Sequence, residues 1–97
     1  MAAYIIVEVE TTDEALMTEY RKHTPGAIAR FGGKFIVRGG KIRTLEGGWT
    51  PSRVVVLEFP SYEKAEAFYD SAHYKPIMAM RHKAGKSRAI LVDGYNG

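Results

Sequence analysis

The sequence predicts an α+β domain in which one four-stranded antiparallel sheet carries helices on one face. β-Branched runs alternate with helical patterns in the order strand, helix, hairpin strands, strand, helix pair, strand. A chain of 97 residues has the length of one domain, expected over 1–97. Hydrophobic residues make up 45% and charged residues 26% of it, which is ordinary for a globular protein.

The first strand and the first helix are predicted near the N-terminus. Residues 4–9, YIIVEV, are β-branched or aromatic, as is typical of a strand. Thr11 stands three residues before Glu14, which is the spacing of a capping box, and the apolar residues of 13–31 recur at helical intervals. The glycine pair that follows favours a helix end, and Pro25 is expected to kink the helix.

A β-hairpin is predicted next, from two alternating runs joined by two glycines. The segment KFIVR-GG-KIRTL, residues 34–45, has the two-residue connection typical of a type I′ turn. Residues 46–52 indicate a loop, and RVVVLEF, residues 53–59, a further strand. Pro60 ends that strand, and Ser61 is placed to cap the next helix.

The C-terminal part predicts two helices and a last strand. Apolar residues from Tyr62 onward form a stripe at helical spacing. Pro76 disfavours a continuous helix, so a break is expected between Ser71 and Lys75, with a second helix through PIMAMRHK. SRAILVDG, residues 87–94, closes the chain as a strand.

This order of elements is that of the ferredoxin-like split βαβ arrangement, here with a hairpin extension. The expected sheet order is 4-1-3-2, with the first and third long strands as parallel neighbours. Strand alternation then assigns residues to two faces. The helix face is expected to carry Ile5, Val7, Val9, Phe35, Val37, Val55, Leu57, Phe59, Ile90 and Val92, and the other face Tyr4, Ile6, Ile36, Val54, Val56, Ala89 and Leu91.

The second face is more apolar than a solvated sheet face usually is, and no element of the chain is left to cover it. We therefore expect a homodimer through this open sheet face. Glu8 and Glu58 are expected side by side there, either as a coupled acid-base pair or at the rim of the interface, meeting arginines of the partner. Glu58 is thus one catalytic candidate.

Composition excludes several classes of site. There is no cysteine, and the three histidines show no metal-ligand spacing, so neither a metal nor a cofactor is expected. No apolar stretch is long enough to span a membrane, and a cytoplasmic location without membrane contact is expected. The net charge is +3, with basic residues concentrated in 81–88, but a solvated face explains this better than nucleic-acid binding. The third long strand also lacks the aromatic side chains on which RNA-binding sheets stack bases.

A few side chains remain as candidates for a site. His23 and His73 are candidate bases, although lone helical histidines are more often structural or solvated. Arg38 and Arg81 are candidate anion anchors or, equally, interface ion pairs. The other ligand-binding candidates are Trp49, Tyr69 and Tyr74. Trp49 could instead pack against a partner subunit.

Three segments, FGGKFIVRGGKIRTLEG, VVVLEFPSYEKAEAFYDSAHY and AILVDGY, resemble the domain-of-unknown-function 1330 family over nearly the whole chain. The resemblance implies membership of the dimeric α+β barrel superfamily. That superfamily includes cofactor-independent monooxygenases, haem enzymes, isomerases and amino-acid-binding regulatory domains, so it leaves the reaction open.

These observations predict a homodimer that binds a small carboxylated or aromatic molecule between sheet and helices, in a cleft lined by His23, Tyr69, His73 and Tyr74. Cofactor-independent oxygenation or isomerisation, with a histidine as base, would fit such a site. The alternative is a non-catalytic dimerisation or ligand-sensing module. Whether the protein is an enzyme stays open at this point.

Overall fold

A computed structural model describes residues 1–95, in which a sheet is covered on one face by three helices. The elements are β1 (Ala3–Thr11), α1 (Glu14–Ala29), β2 (Lys34–Arg38), β3 (Val54–Phe59), α2 (Tyr62–Tyr69), α3 (Lys75–Ala84) and β4 (Gly85–Asp93). The sheet order is β2-β3-β1-β4, and every neighbouring pair is antiparallel. The predicted ferredoxin-like α+β fold and strand order are confirmed.

The two central strands run antiparallel, so the prediction of parallel neighbours is wrong. Tyr4 is paired with Glu58, and Glu8 with Val54. The chain returns along β3 against both β1 and β2, which makes β1 and β2 parallel to each other. Glu8 and Glu58 consequently lie at opposite ends of the strand pair, and they cannot form the coupled carboxylate pair that the sequence suggested.

The predicted hairpin is not formed, because β2 pairs with β3 instead of with residues 41–45. Residues 39–53 contain neither helix nor strand. A type I′ turn needs positive φ at both central residues. Gly39 has a φ of 72°, but Gly40 is not among the positive-φ glycines. Residues 40–50 are all exposed, so a second strand there would have had no face to bury.

A bulge in β2 changes which side chains face the helices. Phe35 is paired with Leu57, but Val37 is paired with Val56 and Arg38 with Val55. The extra residue shifts the alternation by one. Val37 therefore lies on the open face, contrary to the prediction, whereas Arg38 joins Phe35 on the helix face.

The side chains of β4 also point to the sheet faces opposite to those predicted. Ile5 is paired with Leu91 and Ile6 with Ile90, and directly paired residues share a face. Because the side-chain period of a strand is two, an error of one residue exchanges every side chain between faces. Ala89 and Leu91 thus face the helices, and Ile90 and Val92 lie on the open face.

Helix α1 begins at a different cap from the predicted one. Thr11 belongs to β1, and the Asp13 side chain accepts a hydrogen bond of 3.0 Å from the backbone N–H of Leu16. The capping-box prediction is therefore wrong, while the end of the helix near Gly32, with its φ of 77°, agrees with the prediction. The helix continues through Pro25 rather than ending there.

The predicted break between α2 and α3 is confirmed, and Ser61 caps α2 by accepting from the backbone N–H of Lys64 at 3.1 Å. In the break, the Ser71 hydroxyl donates to the Phe68 carbonyl at 2.8 Å and accepts from the Tyr74 N–H at 3.0 Å. This turn fixes the backbone at Tyr74, whose side chain is buried.

The hydrophobic core lies between the helices and the sheet, with Phe68 near its centre. The Phe68 ring centroid is 4.3 Å from that of Tyr74, 5.1 Å from that of Phe59 and 6.0 Å from that of Phe31. Burying a side chain of this kind stabilises a fold by about 1.5–3 kcal/mol. The expected burial of Ile5, Val7, Val9, Leu57 and Phe59 is confirmed.

Candidate ligand-binding cleft

A cleft opens between the helix face of the sheet and the three helices. Its volume is about 50 Å³, and about 610 Å³ when the part open to solvent is included. Most of its walls are apolar, from β1, β3 and the core side of the helices. The polar or charged side chains that line it are Tyr20, Arg21, Thr24, Arg38, Arg53, Tyr69, Tyr74 and Arg81.

Three of the four lining arginines form one group, contributed by α1, β2 and the residue before β3. Arg21 makes an ion pair of 2.9 Å with Glu14. Arg38 and Arg53 make no ion pair with any residue in 1–95. The guanidinium of Arg38 lies over the Phe35 ring, 4.1 Å from its centroid.

Arg53 is held close to other positive charges. Burial lowers its pKa, and the charges of Arg21 and Arg38 lower it further. Its side chain runs against Gly39, where a Cβ atom would stand 2.5 Å from the guanidinium carbon of Arg53. The arrangement concentrates positive charge at one part of the cleft, and an anion bound there would relieve the repulsion.

The fourth arginine belongs to a separate, buried row of polar groups. Arg81 is 4% exposed, and its Nη1 donates to the Tyr74 hydroxyl at 3.3 Å. The hydroxyl oxygens of Tyr74 and Tyr20 are 2.6 Å apart. Burial, and secondarily the neighbouring Tyr20, raise the pKa of Tyr74, so its phenol stays protonated.

The sequence-predicted residues divide into those in the cleft and those outside it. Arg38, Tyr69, Tyr74 and Arg81 line the cleft. His23 is exposed on α1 and contacts Glu19, with His23 Nε2 and Glu19 Oε1 3.2 Å apart. His73 is exposed in the break between α2 and α3. Neither histidine lines the cleft, and in α1 the face that turns inward carries Tyr20 and Thr24 instead of His23.

The remaining candidates lie on or beside the open face of the sheet. Glu58 pairs with Lys34 at 3.4 Å. Glu8 accepts from Arg88 Nε at 2.8 Å and from Trp49 Nε1 at 2.6 Å. These two hydrogen bonds, that from Arg88 first, lower the pKa of Glu8. Trp49 is therefore anchored away from the cleft.

Three residues that define the cleft were not among the sequence candidates: Tyr20, Arg21 and Arg53. The signal for Arg53 was present, because it alternates with Val55 and Leu57 on the helix face of the third strand. Tyr20 was assigned to the apolar stripe of its helix, and only the packing of α1 against α3 brings its hydroxyl to Tyr74.

Within 1–95, no group of three or more histidine, aspartate or glutamate side chains is placed to hold a metal ion. None of the helices in that part of the chain is both long enough and apolar enough to cross a bilayer.

The fold places the chain in the class of small ferredoxin-like α+β proteins. The chain belongs to the family named Domain of unknown function (DUF1330), whose model matches residues 2–95. No curated protein sequence matches the chain.

Solved structures share the fold at low sequence identity. The RPA0582 protein of unknown function from Rhodopseudomonas palustris is 17% identical, with a TM-score of 0.76 over 99% of this chain and 84% of its own. A dimeric ferredoxin-like protein of unknown function from Jannaschia sp. CCS1 is 16% identical, with a TM-score of 0.71 over 97% and 100%. SnoaB, a cofactor-independent oxygenase from Streptomyces nogalater, is 13% identical, with a TM-score of 0.56 over 99% and 93%. At these identities the likeness establishes the fold alone.

Proposed function

We propose that this protein binds a small organic anion, a carboxylate on an apolar or aromatic body, in the cleft between sheet and helices. The observation that carries the proposal is that Arg38 and Arg53, which have no acidic partner in 1–95, border a cleft with apolar walls. A guanidinium can hold a carboxylate with two parallel hydrogen bonds. The apolar walls would take the rest of the molecule.

The charge balance of the cleft supports an anion over a cation or a neutral ligand. Four arginines line it, and no aspartate or glutamate does so among the described residues. A charged group whose pKa is shifted by burial and by neighbouring charges, as that of Arg53 is, marks a candidate functional site. A cleft of this kind also favours ligand binding over a purely structural dimerisation module.

The residues that line the cleft also bear on whether the protein catalyses a reaction. No histidine or carboxylate of residues 1–95 lines the cleft, so a general base of either kind would have to come from elsewhere. SnoaB is a cofactor-independent oxygenase of the same fold, but fold likeness does not carry a reaction to this chain. Ligand binding is therefore the function that the geometry supports best, and oxygenase or isomerase chemistry is a secondary proposal.

Binding is tested by calorimetric titration with benzoate and its neutral analogue benzamide, using Arg38→Gln and Arg53→Gln. Charged hydrogen bonds contribute about 1.5–3 kcal/mol, so each variant should lose roughly tenfold or more in benzoate affinity. Arg43→Gln, in the exposed segment 40–50, is the matched control and should bind as the unmodified protein does. Equal affinity for benzoate and benzamide would refute the proposal.

We further propose that a second copy of the chain covers the open face of the sheet. Ile36, Val37, Ile90 and Val92 are each at least 40% exposed there. The molecule is only 17 Å across its shortest dimension, as expected of two layers with one uncovered. Burying several hundred Å² of apolar surface at about 25 cal/mol per Å² would be comparable to the stability of a small domain.

Sedimentation velocity tests the dimer. The protein should sediment as a dimer at micromolar concentration, and Ile90→Glu should shift it toward the monomer, because a charge would be buried without a partner. Ala79→Glu adds the same charge on the exposed side of α3 and should leave the dimer intact. A folded monomer of the unmodified protein at that concentration would overturn the proposal.

A further inference from the structure

The buried polar row of Arg81, Tyr74 and Tyr20 has a defined hydrogen-bond direction. Arginine has only donors, so the Tyr74 oxygen accepts from Arg81 Nη1. The Tyr74 hydroxyl proton has one acceptor within reach among residues 1–95, the Tyr20 oxygen at 2.6 Å. If Tyr20 instead donated to Tyr74, the buried Tyr74 proton would lack an acceptor. The Tyr74 proton therefore has an acceptor only when Arg81 donates to Tyr74 and Tyr74 donates to Tyr20.

This direction leaves the Tyr20 hydroxyl proton without an acceptor among the described residues. Tyr20 is only partly buried and lines the cleft. Its oxygen already accepts a bond from a donor that is itself polarised by a guanidinium, and such chains strengthen the terminal donor. Tyr20 thus presents a hydrogen-bond donor to the interior of the cleft.

A second observation also points to a ligand at this row. Arg81 is 4% exposed, makes no ion pair with a residue in 1–95, and its Nε has no hydrogen-bond partner there. A buried guanidinium without a counter-charge is costly, so a partly negative group nearby would stabilise it. The positive charge of Arg81 favours an electron-rich oxygen at the end of the row.

The row is distinct from the group of Arg21, Arg38 and Arg53. Arg21 and Tyr20 are consecutive in α1, and consecutive helical side chains point about 100° apart. Arg21 contributes to the group around Arg53, whereas Tyr20 turns toward α3 and Tyr74. One ligand with two functional groups could therefore contact the three arginines through one of them and Tyr20 through the other.

We propose that Tyr20 donates a hydrogen bond to a second oxygen of the ligand, and that the ligand class is an organic carboxylate that also carries a carbonyl or phenolate oxygen. This inference rests on the proposed function, because it requires the carboxylate to be held by Arg38 and Arg53. It makes Tyr20 a specificity-determining residue and Tyr74 a positioning residue.

The test compares probes that differ in one oxygen. The probes are 3- and 4-acetylbenzoate and, as carbonyl-free analogues of similar shape, 3- and 4-isopropylbenzoate, titrated by calorimetry. A neutral hydrogen bond contributes about 0.5–1.5 kcal/mol net, so at least one acetyl probe should bind roughly three- to tenfold more tightly than its isopropyl analogue. Tyr20→Phe should abolish that preference, and Tyr62→Phe, on the exposed side of α2, should retain it.

The ratio of the affinities for the acetyl and isopropyl probes distinguishes the role of Tyr20 from the proposed function. Benzoate binding that depends on Arg38 and Arg53, without any preference for the acetyl probes, would overturn the role of Tyr20 and leave the proposed function standing. Absence of binding by every probe would refute both. If Tyr20→Phe does not fold, the infrared carbonyl band of acetylbenzoate bound to the unmodified protein decides: a donor lowers its frequency relative to apolar solvent, and an unshifted band contradicts the proposal.

Discussion

The guanidinium carbon of Arg38 lies 4.1 Å from the centre of the Phe35 ring. Residues three apart in a regular strand point to opposite faces. These two share a face because the bulge between Phe35 and Val37 adds one residue to β2. A cation over an aromatic ring contributes about 0.5–1 kcal/mol at an exposed site. The contact holds Arg38 at the edge of the cleft.

Deleting Ile36 should remove the bulge and leave Arg38 on the helix face. The shortened strand would pair Phe35, Val37 and Arg38 with the same residues of β3 in regular alternation. Arg38→Ala should therefore lower benzoate affinity by the same factor with and without the deletion, as measured by titration. An effect of Arg38→Ala that appears only in the deletion variant would contradict the bulged register.

Gly33→Ala should destabilise the protein, whereas Gly26→Ala should stabilise it. A Cβ atom at Gly33 would stand 2.5 Å from a ring carbon of Phe59 and 2.8 Å from a methyl of Ile28, both buried. Overpacking of this kind costs about 1–3 kcal/mol.

At Gly26, inside α1, a Cβ atom would meet nothing within 4 Å. Alanine there should gain about 0.5–1 kcal/mol. Urea unfolding of both variants measures the difference, and stabilisation by Gly33→Ala would show that the packing around Gly33 is looser than these contacts indicate.

Asp13→Ala should weaken α1, because it removes the acceptor for the backbone N–H of Leu16. Loss of such a cap costs about 0.5–2 kcal/mol in the free energy of unfolding. Asp13→Asn keeps an oxygen at the same place and serves as the matched control. Thermal unfolding that gives both variants the same loss would indicate a charge effect rather than a cap.

Glu8 should make stability depend on pH in the acid range. The hydrogen bonds from Arg88 and Trp49 lower its pKa in the folded protein from the ordinary 4.5. A carboxylate with a depressed folded pKa contributes fully above its unfolded pKa, and its contribution is lost as the pH falls through the folded value. The unmodified protein should thus lose more stability below about pH 4.5 than Glu8→Gln does.

The measurement is urea unfolding between pH 3 and 7, followed by the fluorescence of Trp49, the one tryptophan of the chain. Glu10→Gln, at an exposed position of the same strand, is the control and should follow the unmodified protein. Parallel curves for Glu8→Gln and the unmodified protein would mean that the Glu8 contacts do not form in solution.

Several structural features that depend on residues close together in the sequence were predicted correctly from local patterns. Ser61 as a cap, the break before Pro76 and the glycine end of α1 depend on residues a few positions apart, and the structure agrees with all three. The capping box failed because Thr11 and Asp13, two residues apart, both had suitable side chains, and pairing of β1 with β4 extended the strand through Thr11.

The candidate site was predicted only in part, since it is assembled from six separate elements. Tyr69, Tyr74, Arg38 and Arg81 were found as residue types suited to binding, and they do line the cleft. The histidines were chosen for their chemistry, but helix rotation turned His23 toward solvent and Tyr20 inward. Nothing local to Tyr20 indicates a partner 54 residues away.

The sequence by itself determined the α+β class, the order of elements apart from the second hairpin strand, and the presence of a second apolar sheet face, because hydrophobic periodicity and turn residues act over short distances. Only the tertiary structure decided strand direction, the face assigned to β4, the bulge that turns Arg38 inward and the row from Arg81 to Tyr20. These features depend on register and helix packing, in which a shift of one residue exchanges the buried and exposed side chains.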